Sequence, residues 1–241
     1  RLIRPAADLV NRRLLGKADA VVAPSTDMCE RVNAKTDIET QLIHYGIDVD
    51  EWEWKQRDRH DPLRVLTVSR LVERKNLSTA IEAVRELRNG GTEAEYRIVG
   101  QGPRKMALKR GSMMPRWLNF RGYVDDLQSE YDWADVFYLP SEHEAFGMVF
   151  LEALANGLPV VTSPEGGQRD IVSTDVGFAG PAIADGGRQL AFPHEAYADM
   201  LREVSLNYRE FQRATRGYVQ DNFSRAQMVD EYETLFQRIQ T

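Results

Sequence analysis

The chain has 241 residues, of which 42% are hydrophobic and 28% charged, and a net charge of −6. This is the balance of a globular protein large enough to bury a sizeable core. The acidic balance argues against a general nucleic-acid binder, and no apolar run approaches the ~20 residues of a membrane span. Cys29 stands alone, which excludes a disulfide framework and a thiolate metal site; His44, His60, His143 and His194 lack the paired spacing of a zinc site.

In chain order, residues 5–16 predict a helix and ADAVVAPS (18–25) a short buried strand ending in a Pro-Ser turn. Ser25 caps an expected helix over 25–34, and TQLIHYGID (40–48) reads as a strand running into a glycine turn. This run is too short to close its own sheet. Trp52 and Trp54, followed by QRDRHDP, read as a linker with the tryptophans as packing anchors.

From Leu63 the pattern becomes regular. Strands are expected at 63–69, 95–99, 118–121, 135–139 and 159–162, with VGFAG (176–180) as a sixth. Helices are expected at 76–89, 103–110, 124–132 and 146–156. Short apolar strands alternating with helices predict an α/β fold, a Rossmann-like doubly wound parallel sheet. The tail, 193–239, reads as helical, with Ser224 capping its last segment. Three units are expected: residues 1–60, 61–222 and 223–241.

In such a fold ligands sit at the carboxyl ends of the strands, so the loops there should carry the chemistry. These loops are SRLVERKN (69–76), GQGP (100–103), GYVDD (122–126), PSEHEAFG (140–147) and SPEGGQRD (163–170). Arg70 and Lys75 suit a diphosphate clamp, since fixed cations neutralise charge that builds on a leaving phosphate. A solvated basic turn would look the same. GQGP is not GxGxxG, because Lys105 takes the place of the third glycine, and GxxxxGK[ST] is absent. Both facts demote nicotinamide cofactors and ATP hydrolysis.

Glu144 and Glu152 flank the start of the helix that opens at Gly147. At about 1.5 Å rise per residue, Glu152 lies roughly 7–8 Å along the axis from Gly147. The helix amino end, with its free N–H groups, thus lies between two carboxylates. That layout suits a ligand with a sugar at one end, phosphates in the middle and a ribose at the other. Taken alone, Glu152 also fits an ordinary helix surface and Glu144 a charge complementing the helix dipole.

SRLVERKN, VGQGP, RGYVDDL, PSEHEAFGMVFLEALANGLPVVTS and GGQRDIV occur in this order at strand ends. Together they closely resemble the donor-binding, carboxy-terminal half of retaining, metal-independent glycosyltransferases of the GT-B fold, the E-x7-E mannosyl and glucosyl transferase type. The resemblance implies that residues 1–60 are the end of an amino-terminal acceptor domain and hinge, 61–222 the donor domain, and 223–241 a crossover helix. It implies that Arg70 and Lys75 bind the donor diphosphate and that Glu144, as the catalytic position, lies against the donor sugar. Gly147, Met148 and Val149 would offer backbone amides to phosphate and sugar, and Phe146 would belong to the donor site. Glu152 would hold the ribose, Tyr123 and Val124 would border the base, and Gly100 would belong to the donor site. Asp170 departs from the glutamate usual after GGxx, which should affect loop packing more than chemistry.

No cofactor is expected beyond the nucleotide-sugar donor itself. A sugar, lipid-linked or small-molecule acceptor would be met through the rest of the amino-terminal domain, most of which this chain lacks, so that the chain alone should be nearly inert. The uncovered face, with Val229, Leu235, Phe236 and Ile239 on the last helix, would favour self-association. The expected setting is cytoplasmic, with peripheral attachment at the inner membrane face as a further option for the full-length protein. Two other readings stand beside this one: a GT-B fold nucleotide-sugar epimerase, and a non-catalytic sugar-nucleotide-binding or scaffold subunit.

Overall fold

The computed structural model describes residues 13–36, 38–181, 183–185, 189–191 and 193–240. The helix expected over 5–16 falls largely outside them. Strand β1 (Val22–Ala23), helix α1 (Thr26–Thr36) and strand β2 (Gln41–Leu42) come first, with β1 and β2 paired in parallel. Ser25 caps α1 as expected, its hydroxyl accepting from the Met28 N–H at 3.2 Å. The strand read over 40–48 shrinks to two residues; beyond it, Ile47 bonds instead with the backbone of Phe223 and Arg225.

The central sheet contains β3 (Leu63–Val68), β4 (Ala94–Val99), β5 (Leu118–Gly122), β6 (Val136–Leu139), β7 (Val160–Thr162) and β8 (Gly177–Ala179). Its order is β5-β4-β3-β6-β7-β8, every pair parallel. All six expected strands are present. β6 and β7 are buried along their whole length, as strands covered on both faces must be. The one polar side chain buried within β3, Thr67, is satisfied by the Tyr96 hydroxyl at 2.7 Å and by the Tyr138 carbonyl. From β3 the chain winds outward to β5, then returns past β3 to β6. The switch point of the sheet therefore lies between β3 and β6.

The intervening helices are α2 (Leu77–Asn89), α3 (Lys105–Ser112), α4 (Gln128–Trp133) and α5 (Met148–Ala155). α2 turns Leu77, Ala80, Ile81, Val84 and Leu87 to the core, the spacing of one helical face. α4 begins four residues later than expected. Asp126 ends the loop ahead of it, its carboxylate accepting from Ser129 N–H at 3.4 Å, so residues 124–127 stay outside the helix. An antiparallel hairpin, β9 (Ile183–Asp185) and β10 (Gln189–Ala191), was not anticipated.

The tail forms α6 (His194–Leu206), α7 (Tyr208–Asn222) and α8 (Arg225–Gln240). Ser224 and Gln227 cap α8 reciprocally: the Gln227 N–H donates to the serine oxygen at 3.2 Å and the Ser224 N–H to Gln227 Oε1 at 3.1 Å. Leu235 is buried, whereas Val229, Phe236 and Ile239 are exposed. Among the described residues no helix is long and apolar enough to cross a membrane.

The linker is bonded to the sheet domain along its length. Trp52 meets Tyr131 edge-on at 5.6 Å, and the Trp54 indole lies on Gly157. Arg57 donates to the carbonyls of Tyr131, Asp132 and Ala134, at the carboxyl end of α4. Buried Asp135 accepts from the His60 N–H at 3.1 Å, the His60 ring at 2.8 Å and the Arg64 N–H at 2.8 Å.

Candidate functional site

The loops after β3 and β6 meet at the switch point and are laced together by backbone groups. Asn76 Nδ2 donates to the Pro140 carbonyl at 3.0 Å, Glu142 N–H to the Arg74 carbonyl at 2.7 Å, and Arg74 Nη1 to the His143 carbonyl at 2.7 Å. This lacing brings Lys75 against Glu144. The Lys75 ammonium donates to Glu144 Oε1, and Arg74 lies 3.9 Å from Oε2. Both paired residues are buried. Burial pulls the Lys75 ammonium below its ordinary pKa; the Glu144 charge and hydrogen bond oppose this, and the Arg74 and Arg70 charges add to it.

The loop after β7 holds Glu144 from the other side. Glu144 N–H donates to Gln168 Oε1 at 3.2 Å, and the Glu144 carbonyl accepts from Gly167 N–H at 2.8 Å. Gln168, fully buried, also donates to the Ser141 carbonyl at 3.0 Å and to Ser163 Oγ at 2.9 Å. Gly166 permits this approach: its φ is +83°, and a Cβ there would meet the Glu144 carbonyl oxygen at 2.7 Å. The sequence reading singled out the glycine pair but not Gln168. A polar side chain directly after two glycines was the available signal.

Glu144 is thus fixed just ahead of the amino end of α5. Gly147 makes the turn with φ +107°, and a Cβ there would lie 2.5 Å from the Phe150 ring. Met148 and Val149 are the first residues of α5, where N–H groups lack partners within the helix. One turn further, the Tyr131 hydroxyl donates to Glu152 Oε2 at 2.8 Å. Burial raises the Glu152 pKa, which the Tyr131 bond partly offsets. Among the described residues Glu152 Oε1 makes no hydrogen bond within the protein.

Phe146 departs from its expected role. Its ring is 2% exposed, stacked on His44 at 5.5 Å and edge-on to Tyr45 at 5.6 Å and Phe223 at 6.1 Å. The side chain is a packing anchor between residues 44–45 and the end of α7, which leaves only its backbone to face a ligand.

Arg70, Gly100, Tyr123 and Val124 come together in one place. With Val68, Val99 and Leu127 they line a largely apolar cavity of about 290 Å³. Tyr123 is 69% exposed at its mouth. Among the described residues Arg70 forms no ion pair. A larger hollow of about 710 Å³ lies between the β1–β2 strands and α8, lined by Val21, Gln41, Leu235 and Ile239 among others. It contains none of the strand-end loops of the central sheet.

The amino end of α1 docks on these same loops. Ser25 Oγ–H donates to the Ala145 carbonyl at 2.6 Å, and Thr26 N–H donates to Asp170 Oδ2 at 2.6 Å. Arg169 and Glu30 pair at 2.9 Å alongside. Asp170 therefore has a definite task in packing, capping a helix from the preceding segment.

Asp48 and Asp50 have Asp-x-Asp spacing, a pattern the sequence reading wrongly takes to be absent from the chain. Asp48 caps the short turn that follows it, accepting from Asp50 N–H at 3.0 Å, and Asp50 pairs with Arg216 at 2.9 Å. Among the described residues no three of His, Cys, Asp and Glu gather as a metal-ion site.

The family model described as glycosyl transferases group 1 matches residues 48–208, and the chain belongs to this family. It is 35% identical over 147 residues to the amylovoran biosynthesis glycosyltransferase AmsK of Erwinia amylovora, covering 56% of this chain and 36% of AmsK. It is 29% identical over 189 residues to a GDP-mannose-dependent alpha-(1-6)-phosphatidylinositol dimannoside mannosyltransferase of Mycobacterium tuberculosis, covering 73% of this chain and 49% of that protein. The chain thus spans half or less of the length of these curated relatives. A TarM mutant of S. aureus, solved with fondaparinux, alpha-GlcNAc-glycerol and UDP, superposes with a TM-score of 0.77 at 17% identity over 92% of this chain and 44% of TarM. The fold is that of the GT-B glycosyltransferases.

Proposed function

We propose that this chain is the donor-binding part of a retaining hexosyltransferase that takes its sugar from a nucleoside diphosphate sugar and needs no metal ion. The observation that carries the reading is the Lys75–Glu144 pair just ahead of the open amino end of α5 at the switch point of the sheet, with the Arg70 charge close enough to act on Lys75. In this reading the base enters the cavity beside Gly100, Tyr123 and Val124, and Glu152 accepts from the ribose through Oε1. The diphosphate lies on the N–H groups of Gly147, Met148 and Val149 and draws Arg70 and Lys75 toward it. Glu144, held at both backbone groups, faces the sugar.

The two cations supply the charge that a leaving diphosphate needs. Retention follows if the acceptor attacks the face from which the diphosphate departs. A GDP-mannose-dependent relative and a UDP-bound structural neighbour support a nucleoside diphosphate donor without choosing its base. Acceptor recognition is assigned to a further part of a longer protein, since the chain spans 36% and 49% of its first two relatives.

Calorimetric titration with UDP, GDP and ADP, each with and without EDTA, tests the reading. At least one nucleotide should bind, with the same affinity in both conditions. Binding abolished by EDTA would overturn metal independence, and no binding at all would overturn the donor site.

A further inference from the structure

The connection from β4 to β5 concentrates positive charge. Residues 104–116 hold Arg104, Lys105, Lys109, Arg110 and Arg116 and no acidic residue, in a chain whose net charge is −6. Arg104 pairs with Glu73 at 3.0 Å. Among the described residues the other four form no ion pair.

The same segment exposes apolar side chains: Met106 is 61% exposed, Met113 81% and Met114 44%. α3 buries Leu108 and Ser112, so Met106 and Arg110, four residues apart, share its outward face. Met113 and Met114 follow with φ of +57° and +47°, two consecutive left-handed residues that are neither glycine nor asparagine. The base of this turn is anchored. Arg85 donates to the Ser112 carbonyl at 3.3 Å, and the guanidiniums of Arg85 and Arg88 lie 5.6 and 5.8 Å from the Trp117 ring centroid. The turn precedes β5 and so lies at the amino ends of the strands, away from the switch-point loops.

We propose that this turn docks on the surface of an anionic phospholipid bilayer. Met113 and Met114 enter the acyl boundary while Lys109, Arg110 and Arg116 meet the phosphate-bearing headgroups. Charge complementarity and the unbranched, adaptable methionine side chain both suit that partner. A nucleic acid would use the cations but leave three methionines in water. Two copies meeting symmetrically through this patch would set like charges against one another. The proposal stands apart from the donor reading.

Co-sedimentation of the 241-residue chain with phosphatidylcholine vesicles, and with mixed phosphatidylglycerol–phosphatidylcholine vesicles, tests it. The chain should bind the mixed vesicles, not the neutral ones, and binding should weaken as salt rises. Each Lys or Arg near such a surface contributes about a fivefold factor, so Lys109→Glu/Arg110→Glu should lower partitioning by at least about tenfold. Met113→Asn/Met114→Asn should also lower it several-fold, and asparagine tolerates the left-handed backbone. Thermal melting and nucleotide affinity, unchanged in both variants, would show that fold and donor site are intact. No binding to the mixed vesicles, or equal binding by either variant, overturns the proposal. So does concentration-dependent self-association that the methionine variant abolishes while vesicles go unbound, which would make the patch a contact between copies.

Discussion

The Lys75 ammonium donates to the Glu144 carboxylate across the switch point of the sheet, although the two residues are 69 apart in the chain. Their side chains are only 9% and 11% exposed, so neither charge has much water to fall back on. Loop backbone from three strand ends fixes Glu144, and the lysine fixes its carboxylate. Removing one partner from such a pair costs more than removing both, because the survivor stays buried and charged.

Lys75→Met should therefore destabilise the protein by roughly 3–5 kcal/mol. Arg74, 3.9 Å from Glu144 Oε2, should keep the loss near the lower end. Adding Glu144→Gln should restore most of the lost stability. Urea unfolding of the two single variants and the double variant measures this as a cycle. Simply additive losses would show that the pair is not coupled.

Glu152 sets stability against binding. Burial raises its pKa above the ordinary carboxylate range. A carboxyl whose folded pKa is raised holds its proton better in the native state, so its contribution to stability is present below the unfolded pKa and lost as pH rises through the folded one. Glu152→Gln should thus raise the melting temperature near neutral pH, with the gain shrinking as pH falls through the raised folded pKa and gone below about pH 4.3, the ordinary glutamate value. The same change should weaken nucleotide binding by ~1.5–3 kcal/mol. Melting curves across that range, paired with calorimetry, test both halves; a neutral-pH melting temperature that falls would contradict the first.

Arg70 is exposed and forms no ion pair among the described residues, so the fold does not depend on its charge. Arg70→Ala should weaken nucleoside diphosphate binding by about 1.5–3 kcal/mol and hardly move the melting temperature. Binding of the nucleoside without phosphates should be unaffected. Equal losses for nucleoside and nucleotide would place Arg70 on the base instead.

Asp170→Ala should loosen α1 at its amino end, since Thr26 N–H would lose its acceptor. A lost cap of this kind costs about 1 kcal/mol. Hydrogen exchange should quicken over residues 25–36 and stay slow in β3, β6 and β7. Unchanged protection in α1 would mean that Ser25 and the Arg169–Glu30 pair suffice to dock it.

Much of this architecture is legible in the residues alone. Strands β6 and β7, buried on both faces, stand out as short apolar runs, β4 by buried side chains interleaved with open ones, and the helices because burial recurs along one face. Ser25 and Ser224 cap helices through side chains acting within three residues, a range that sequence pattern covers. The loops that carry Arg70, Lys75, Glu144 and Glu152 follow from where those strands end.

Other features depend on which strands become neighbours. Strand order decides that the loops after β3 and β6 adjoin, and only then does Lys75 meet Glu144 and Gln168 reach the backbone of Glu144. Phe146 sits in a motif that suggests a ligand contact, yet His44, Tyr45 and Phe223, remote in the chain, enclose its ring. Periodicity and capping record how each segment meets water and its own backbone over a few residues. Pairing across the sheet is set by the joint packing of segments far apart in the chain, and that is where the sequence alone stops and the tertiary structure decides.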